Sequence, residues 1–234
     1  MSSDFRQFQK AFFQALRDRP LDLADPDDRA LYVPLHDGPA DPVVRLHDTI
    51  DFSVGESVQL VAGFRGTGKT TEFSRLEARL WEADYLVVRV DLDDYLDLHS
   101  AVDVADFLLV LSAAISDRLQ SDRLLSESAV AWNFWDRARS ALGLNVEVSG
   151  IKAAGIELAV GMKEDPTVRQ KIRDALAGRL PRLVSEVRAH HEGVLGALRE
   201  RWGEDARLVV IVDSLEHVRG MLDSRRDVQT SVQE

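Results

Sequence analysis

Gly63-Phe64-Arg65-Gly66-Thr67-Gly68-Lys69-Thr70 decides how this 234-residue chain is read. An apolar run of β type, Val58-Gln59-Leu60-Val61-Ala62, stands before it. After it, residues 71–81 carry Phe73, Leu76, Ala78 and Leu80 at helical spacing. Strand, glycine loop and helix in that order satisfy G-x-x-x-x-G-K-[ST], and each fixed position has a mechanical reason. Glycine allows backbone conformations that turn successive N–H groups inward, and Lys69 reaches toward outer phosphates. The following helix adds the positive end of its dipole, and Thr70 offers a hydroxyl to Mg²⁺. The pattern predicts a polyphosphate cradle formed by Gly63, Phe64, Arg65, Gly66, Thr67, Gly68, Lys69, Thr70 and Thr71.

Two more apolar runs extend the pattern. Tyr85-Leu86-Val87-Val88-Arg89-Val90 predicts the next strand, and Asp91, Asp93 and Asp94 after it read as a solvated turn and helix cap. Leu208-Val209-Val210-Ile211-Val212 is apolar on both faces, as a central parallel strand is, and it ends in Asp213. An acid at the carboxyl end of such a strand lies where open α/β sheets bind ligands. Given the glycine loop, Asp213 is the expected partner of Thr70 on Mg²⁺, directly or through water. Glu216, three residues on, is the nearest carboxylate able to orient an attacking water, so Lys69 and Glu216 form the catalytic expectation.

Residues 63–71 and 208–216 together resemble the two nucleotide motifs of P-loop ATPases, and among them the AAA-like signal-transduction ATPases with numerous domains, the STAND group. Asp213-Ser214-Leu215-Glu216 follows that group's second motif, and residues 41–50 resemble its adenine-supporting segment. The resemblance covers residues 41–98 and 206–218. It implies an α/β, three-layer P-loop NTPase fold of the ASCE type with a parallel sheet, ATP and Mg²⁺ as cofactors, and a nucleotide-dependent switch. Ser214 stands where ordinary AAA enzymes carry Glu, which implies slow hydrolysis. The group also inserts a strand, later in sequence, between the strands of the two motifs. Here only residues 214–234 follow Asp213, so the expectation is an incomplete sheet, completed by a longer natural chain or by a partner.

The remaining chain narrows the function. With 40 Asp plus Glu against 29 Lys plus Arg, the charge of −11 repels nucleic acid and anionic lipid. Zero cysteines exclude disulfides, thiolate metal sites and a Cys nucleophile. The first residues lack a secretory pattern and no run is long enough to span a membrane, so a cytoplasmic location is expected. Expected organisation is an N-terminal helix and connector (1–40), the first part of the core (41–121), a helical and β-hairpin insertion (122–205), and the second-motif strand with a C-terminal segment (206–234). In the first part, Phe5, Phe8, Phe12 and Leu16 line one helical face, residues 21–40 read as an irregular connector, and Asp41-Pro42 opens a helix. Residues 101–119 read as a helix burying Val104, Phe107, Leu108, Leu111 and Ile115. Residues 144–162 alternate as a hairpin near Trp132, Phe134 and Trp135. Asp165-Pro166 opens a helical tract to Trp202 that Gly178 and Pro181 divide.

Adjacent His190 and His191 are expected on different sides of that helix, and no structural metal is expected. The guanine-reading signature is missing, which favours ATP or ADP over GTP, with self-association or a protein partner beside it. A non-hydrolysing nucleotide-binding regulatory module and a small-molecule kinase are the alternative readings; for a kinase lid, Arg225 and Arg226 are the sole late arginine pair.

Overall fold

Aspartate caps determine where several helices of this chain begin. A computed structural model describes residues 3–15, 19–23, 25–34, 36, 38–64, 66–97, 101–125, 163–215 and 219–220, in two compact units, residues 1–83 and 84–234. In the first unit, α1 (Ser3–Ala15) exposes Phe5, Phe8, Phe12 and Phe13, with the rings of Phe8 and Phe12 stacked 6.1 Å apart. Leu16, expected on the same face, lies outside the described residues. The connector is more ordered than its composition suggests. Asp25 accepts a hydrogen bond from the Asp27 N–H and Pro26 occupies the first turn, so a short α2 (Pro26–Leu31) forms there. Asp28 is held by the guanidinium of Arg19 and by the Asp22 N–H, which lower its pKa to about 2. α3 (Pro42–Asp51) begins at Asp41, whose carboxylate accepts from the Val43 N–H at 2.8 Å, and α4 (Lys69–Glu82) follows the glycine loop.

One expected strand is not formed. Residues 56–64 carry no strand, and Val58 and Leu60 are each 87% exposed. An apolar, β-prone run becomes a strand only when a neighbour takes up its backbone N–H and C=O groups. No such ladder reaches these residues.

In the second unit, β1 (Leu86–Asp91) pairs in parallel with β3 (Leu208–Asp213), from Leu86↔Leu208 to Asp91↔Asp213. Between them in sequence come a four-residue helix α5 (Leu92–Tyr95), a short β2 (Ala101–Val102), and α6 (Val104–Ser121). α7 (Pro166–Leu176) and α8 (Leu180–Trp202) follow, and β2 pairs in parallel with β4 (Arg219–Gly220). Of the aspartates at the end of β1, Asp91 is the cap, accepting from the Asp93 N–H at 3.0 Å, and Asp93 and Asp94 lie in the first turn of α5. Asp103 and Asp106 form a capping box at the start of α6, and Asp165 with Pro166 starts α7. The break between α7 and α8 falls at residues 177–179, as Gly178 and Pro181 predict. The expected hairpin at 144–162 and Trp132, Phe134 and Trp135 lie outside the described residues.

The core of this unit gathers Val88 and Val90 from β1, Leu109, Val110, Ala113 and Leu119 from α6, and Leu183, Val194 and Leu198 from α8. The buried face of α6 is wider than expected: Ile115 is buried and Phe107, Leu108 and Leu111 pack partly buried against the core as expected, but Val104 is exposed, and Ala105, Leu109, Ala113 and Leu119 are buried as well. α6 is apolar around most of its circumference, so spacing alone could not choose a face. The two histidines are corrected as well. Nε2 of His190 lies 3.0 Å from the Ser116 hydroxyl and Nε2 of His191 lies 3.4 Å from that of Ser112, so both reach α6 from α8. Neighbours on a helix differ by about 100°, close enough for both to meet serines one turn apart. Among the described residues, no helix is long and apolar enough to cross a membrane.

Candidate functional site

The glycine loop is built from backbone conformations that side chains resist. Gly66 has φ +80° and Gly68, the N-cap of α4, has φ +83°, in the left-handed region where a Cβ costs roughly 1–2 kcal/mol. A Cβ on Gly63 would come within 3.0 Å of Thr67 Oγ1 and 3.6 Å of Lys69 Cδ, so the loop closes over a space that only glycine leaves open. Gly68 brings no capping side chain to the first turn of α4, and that turn's N–H groups are the donors an anion would meet. The Lys69 amine donates to the carbonyls of Gly63 and Phe64, at 3.1 Å each, and the Thr67 hydroxyl donates to Phe64 O at 2.8 Å. Lys69 thus lies folded across its own loop, its amine on weak neutral acceptors that a charged phosphate oxygen outcompetes. Glycine cradle, amine and helix N-terminus are the donor set a polyphosphate requires.

The helix behind the loop is fixed to the connector. Thr71 is buried and its hydroxyl accepts from the Leu21 N–H at 3.3 Å. Arg75 donates to Asp41 Oδ2 and to Glu72 Oε2, at 2.6 Å each, with its guanidinium 5.0 Å from the centre of the Tyr32 ring. The Tyr32 hydroxyl donates to Glu72 Oε1 at 2.8 Å, and burial together with that carboxylate pushes its pKa up to about 12. Burial works against the Asp41 charge, but the hydrogen bonds from Arg75 and Val43 hold its carboxyl below the usual range. One guanidinium therefore joins the cap of α3 to the flank of α4.

In the second unit, Asp213 closes β3 with its side chain 5% exposed. Oδ2 accepts from Arg89 Nη2 at 3.1 Å and Oδ1 accepts from the Ser214 N–H at 3.0 Å. Ser214 has φ +65°, a conformation a serine adopts at a cost. Carboxylate and hydroxyl oxygens are the hard donors that Mg²⁺ prefers, so Asp213 at the end of β3 and Thr70 in the first turn of α4 each carry a donor of that kind. Thr70 belongs to the first unit and Asp213 to the second. Arg65 and Glu216 lie outside the described residues. Arg89 was not among the expected site residues. The signal for it was an arginine inside an otherwise apolar strand, two residues before the strand's acidic end.

No family model matches the chain, and no solved structure matches it. Over 135 residues it is 29% identical to Chaperone protein ClpB of Mycobacterium bovis (strain ATCC BAA-935 / AF2122/97) and of Mycobacterium tuberculosis (strains CDC 1551 / Oshkosh and ATCC 25618 / H37Rv). The match covers 55% of this chain and 16% of those relatives' length. This distant similarity, beside the glycine loop, loosely supports a relationship to P-loop NTPases.

Proposed function

We propose that this chain binds ATP with Mg²⁺ through its glycine loop and works as a nucleotide-dependent switch or assembly module with slow ATP hydrolysis. The fold proposed for it is the three-layer α/β P-loop core, STAND-like in its second motif and located in the cytoplasm. The observation that carries the reading is the loop itself: left-handed Gly66 and Gly68 lead into a helix start with no side-chain cap, and the Lys69 amine lies over the loop. In this reading the loop N–H groups and Lys69 hold the β- and γ-phosphates and stabilise charge on the transferring phosphoryl group. Thr70 and Asp213 are the oxygen donors for Mg²⁺, which when bound neutralises phosphate charge. Glu216 orients water. The exposed Phe5, Phe8, Phe12 and Phe13 of α1 support self-association or a protein partner.

A non-hydrolysing module is the second reading. It is favoured by Asp213, both of whose oxygens already accept hydrogen bonds. Nucleotide binding is tested by thermal unfolding at saturating ATP and Mg²⁺, since a ligand held only by the folded state raises its melting temperature. A rise that disappears in Lys69→Ala supports the proposal, and no rise in the wild type sinks it. Phosphate release lost in both Lys69→Ala and Glu216→Gln identifies an ATPase; tight binding without release identifies the module.

A further inference from the structure

We infer that Arg89 is a positioning residue that occupies Asp213 in the absence of metal and has to yield it before Mg²⁺ can bind, so that metal loading is coupled to the release of an arginine. The inference rests on the proposed role of Asp213 as a Mg²⁺ donor. It starts from an anomaly in sequence. A cation placed inside Leu86-Val87-Val88-Arg89-Val90 is costly to desolvate, and only 21% of the Arg89 side chain is exposed. The register gives the reason. Asp91 stands directly opposite Asp213, and two carboxylates at neighbouring strand ends repel one another.

The two acids are relieved differently. Asp91 accepts from the Asp93 N–H as the cap of α5. Arg89 precedes Asp91 by two residues and so shares its face of the sheet, where it donates to Asp213 Oδ2 at 3.1 Å. The Ser214 N–H, 3.0 Å from Oδ1, occupies the other oxygen. Oδ2 therefore has a cationic partner held in place by the strand register. A divalent cation needs the same lone pairs. The two cations compete for one oxygen, and the weaker apparent affinity for Mg²⁺ is the consequence. When Mg²⁺ takes Asp213, Arg89 gives up Oδ2, and that handover gives β1 two states tied to the occupancy of the site.

The test uses the full 234-residue chain and a fluorescent ATP analogue, reading the Mg²⁺ concentration at half-saturation of binding. Arg89→Met and the hydrogen-bonding neutral variant Arg89→Gln are expected to lower it about tenfold, the scale of one lost interaction of this kind. Arg89→Lys keeps the charge and is expected to stay within about twofold of wild type. Asp213→Asn is expected to raise the half-saturation point. A merely structural arginine would lower the melting temperature without moving the Mg²⁺ dependence. Neutral variants with unchanged or weaker Mg²⁺ dependence, beside an impaired Asp213→Asn, overturn the handover and leave the proposed function standing. An Asp213→Asn variant identical to wild type overturns both the handover and the proposed metal role of Asp213.

Discussion

The two motifs of this chain are built in opposite ways. The glycine loop contributes N–H groups at a helix start whose N-cap has no side chain, and one amine resting on neutral carbonyls. The end of β3 contributes a buried acid whose two oxygens are both hydrogen-bonded, one of them to a guanidinium. The loop is organised by backbone conformation, with left-handed Gly66 and Gly68. The strand end is organised by a charged partner, Arg89. A motif therefore states which atoms a site contains, while their readiness depends on what the fold has already placed against them.

Substitutions separate the two regimes, and the largest effect is expected in the loop. Lys69→Ala should weaken ATP binding about a hundredfold, because a charge-assisted contact is lost, and should barely change stability in urea. Equilibrium binding of a fluorescent ATP analogue checks this. A destabilised protein with intact binding would erase the contrast. Next comes Arg89→Met, expected to cost about 2 kcal/mol in urea unfolding because it strands a buried carboxylate, discounted for the partial exposure of the arginine. Gly68→Ala should cost about 1 kcal/mol in the same measurement, by forcing a Cβ into the left-handed region, with weaker ATP binding as the loop shifts.

The smallest effect belongs to pH. Burial lowers the pKa of His191 from 6.5, so the unfolded chain binds the proton more readily than the folded one. Stability should therefore be complete above pH 6.5 and decline as pH falls below it, levelling off once pH passes the folded pKa. His191→Gln should flatten that slope in urea titrations at stepped pH. If the slope is unchanged, the partly buried His191 near Ser112 is not its source.

What could be read in advance was local. Gly66 and Gly68, the caps at Asp41 and Asp165, and the division near Gly178 each depend on a few consecutive residues, and the structure has them where the spacing puts them; the helix expected from residue 101 instead starts at Val104, capped by Asp103. The short helix after Asp25-Pro26 carried the same signal and was obscured by the acidic, proline-rich composition around it. The unformed strand at 58–62 was beyond such reading, because a strand exists only with a neighbour. So was the buried side of α6, whose apolar surface suits several faces, and the shared contact of His190 and His191 with serines of one helix.

By itself, the sequence determined the chemistry on offer: glycines where the backbone turns left-handed, a lysine and two threonines at a helix start, and an acid closing an apolar strand. Residues within a few positions of each other set those features through backbone conformation and hydrogen bonding, which need no distant partner. Tertiary structure alone decided that Arg89 meets Asp213 across 124 residues, because only the parallel register of β1 and β3 brings their charges within reach of each other.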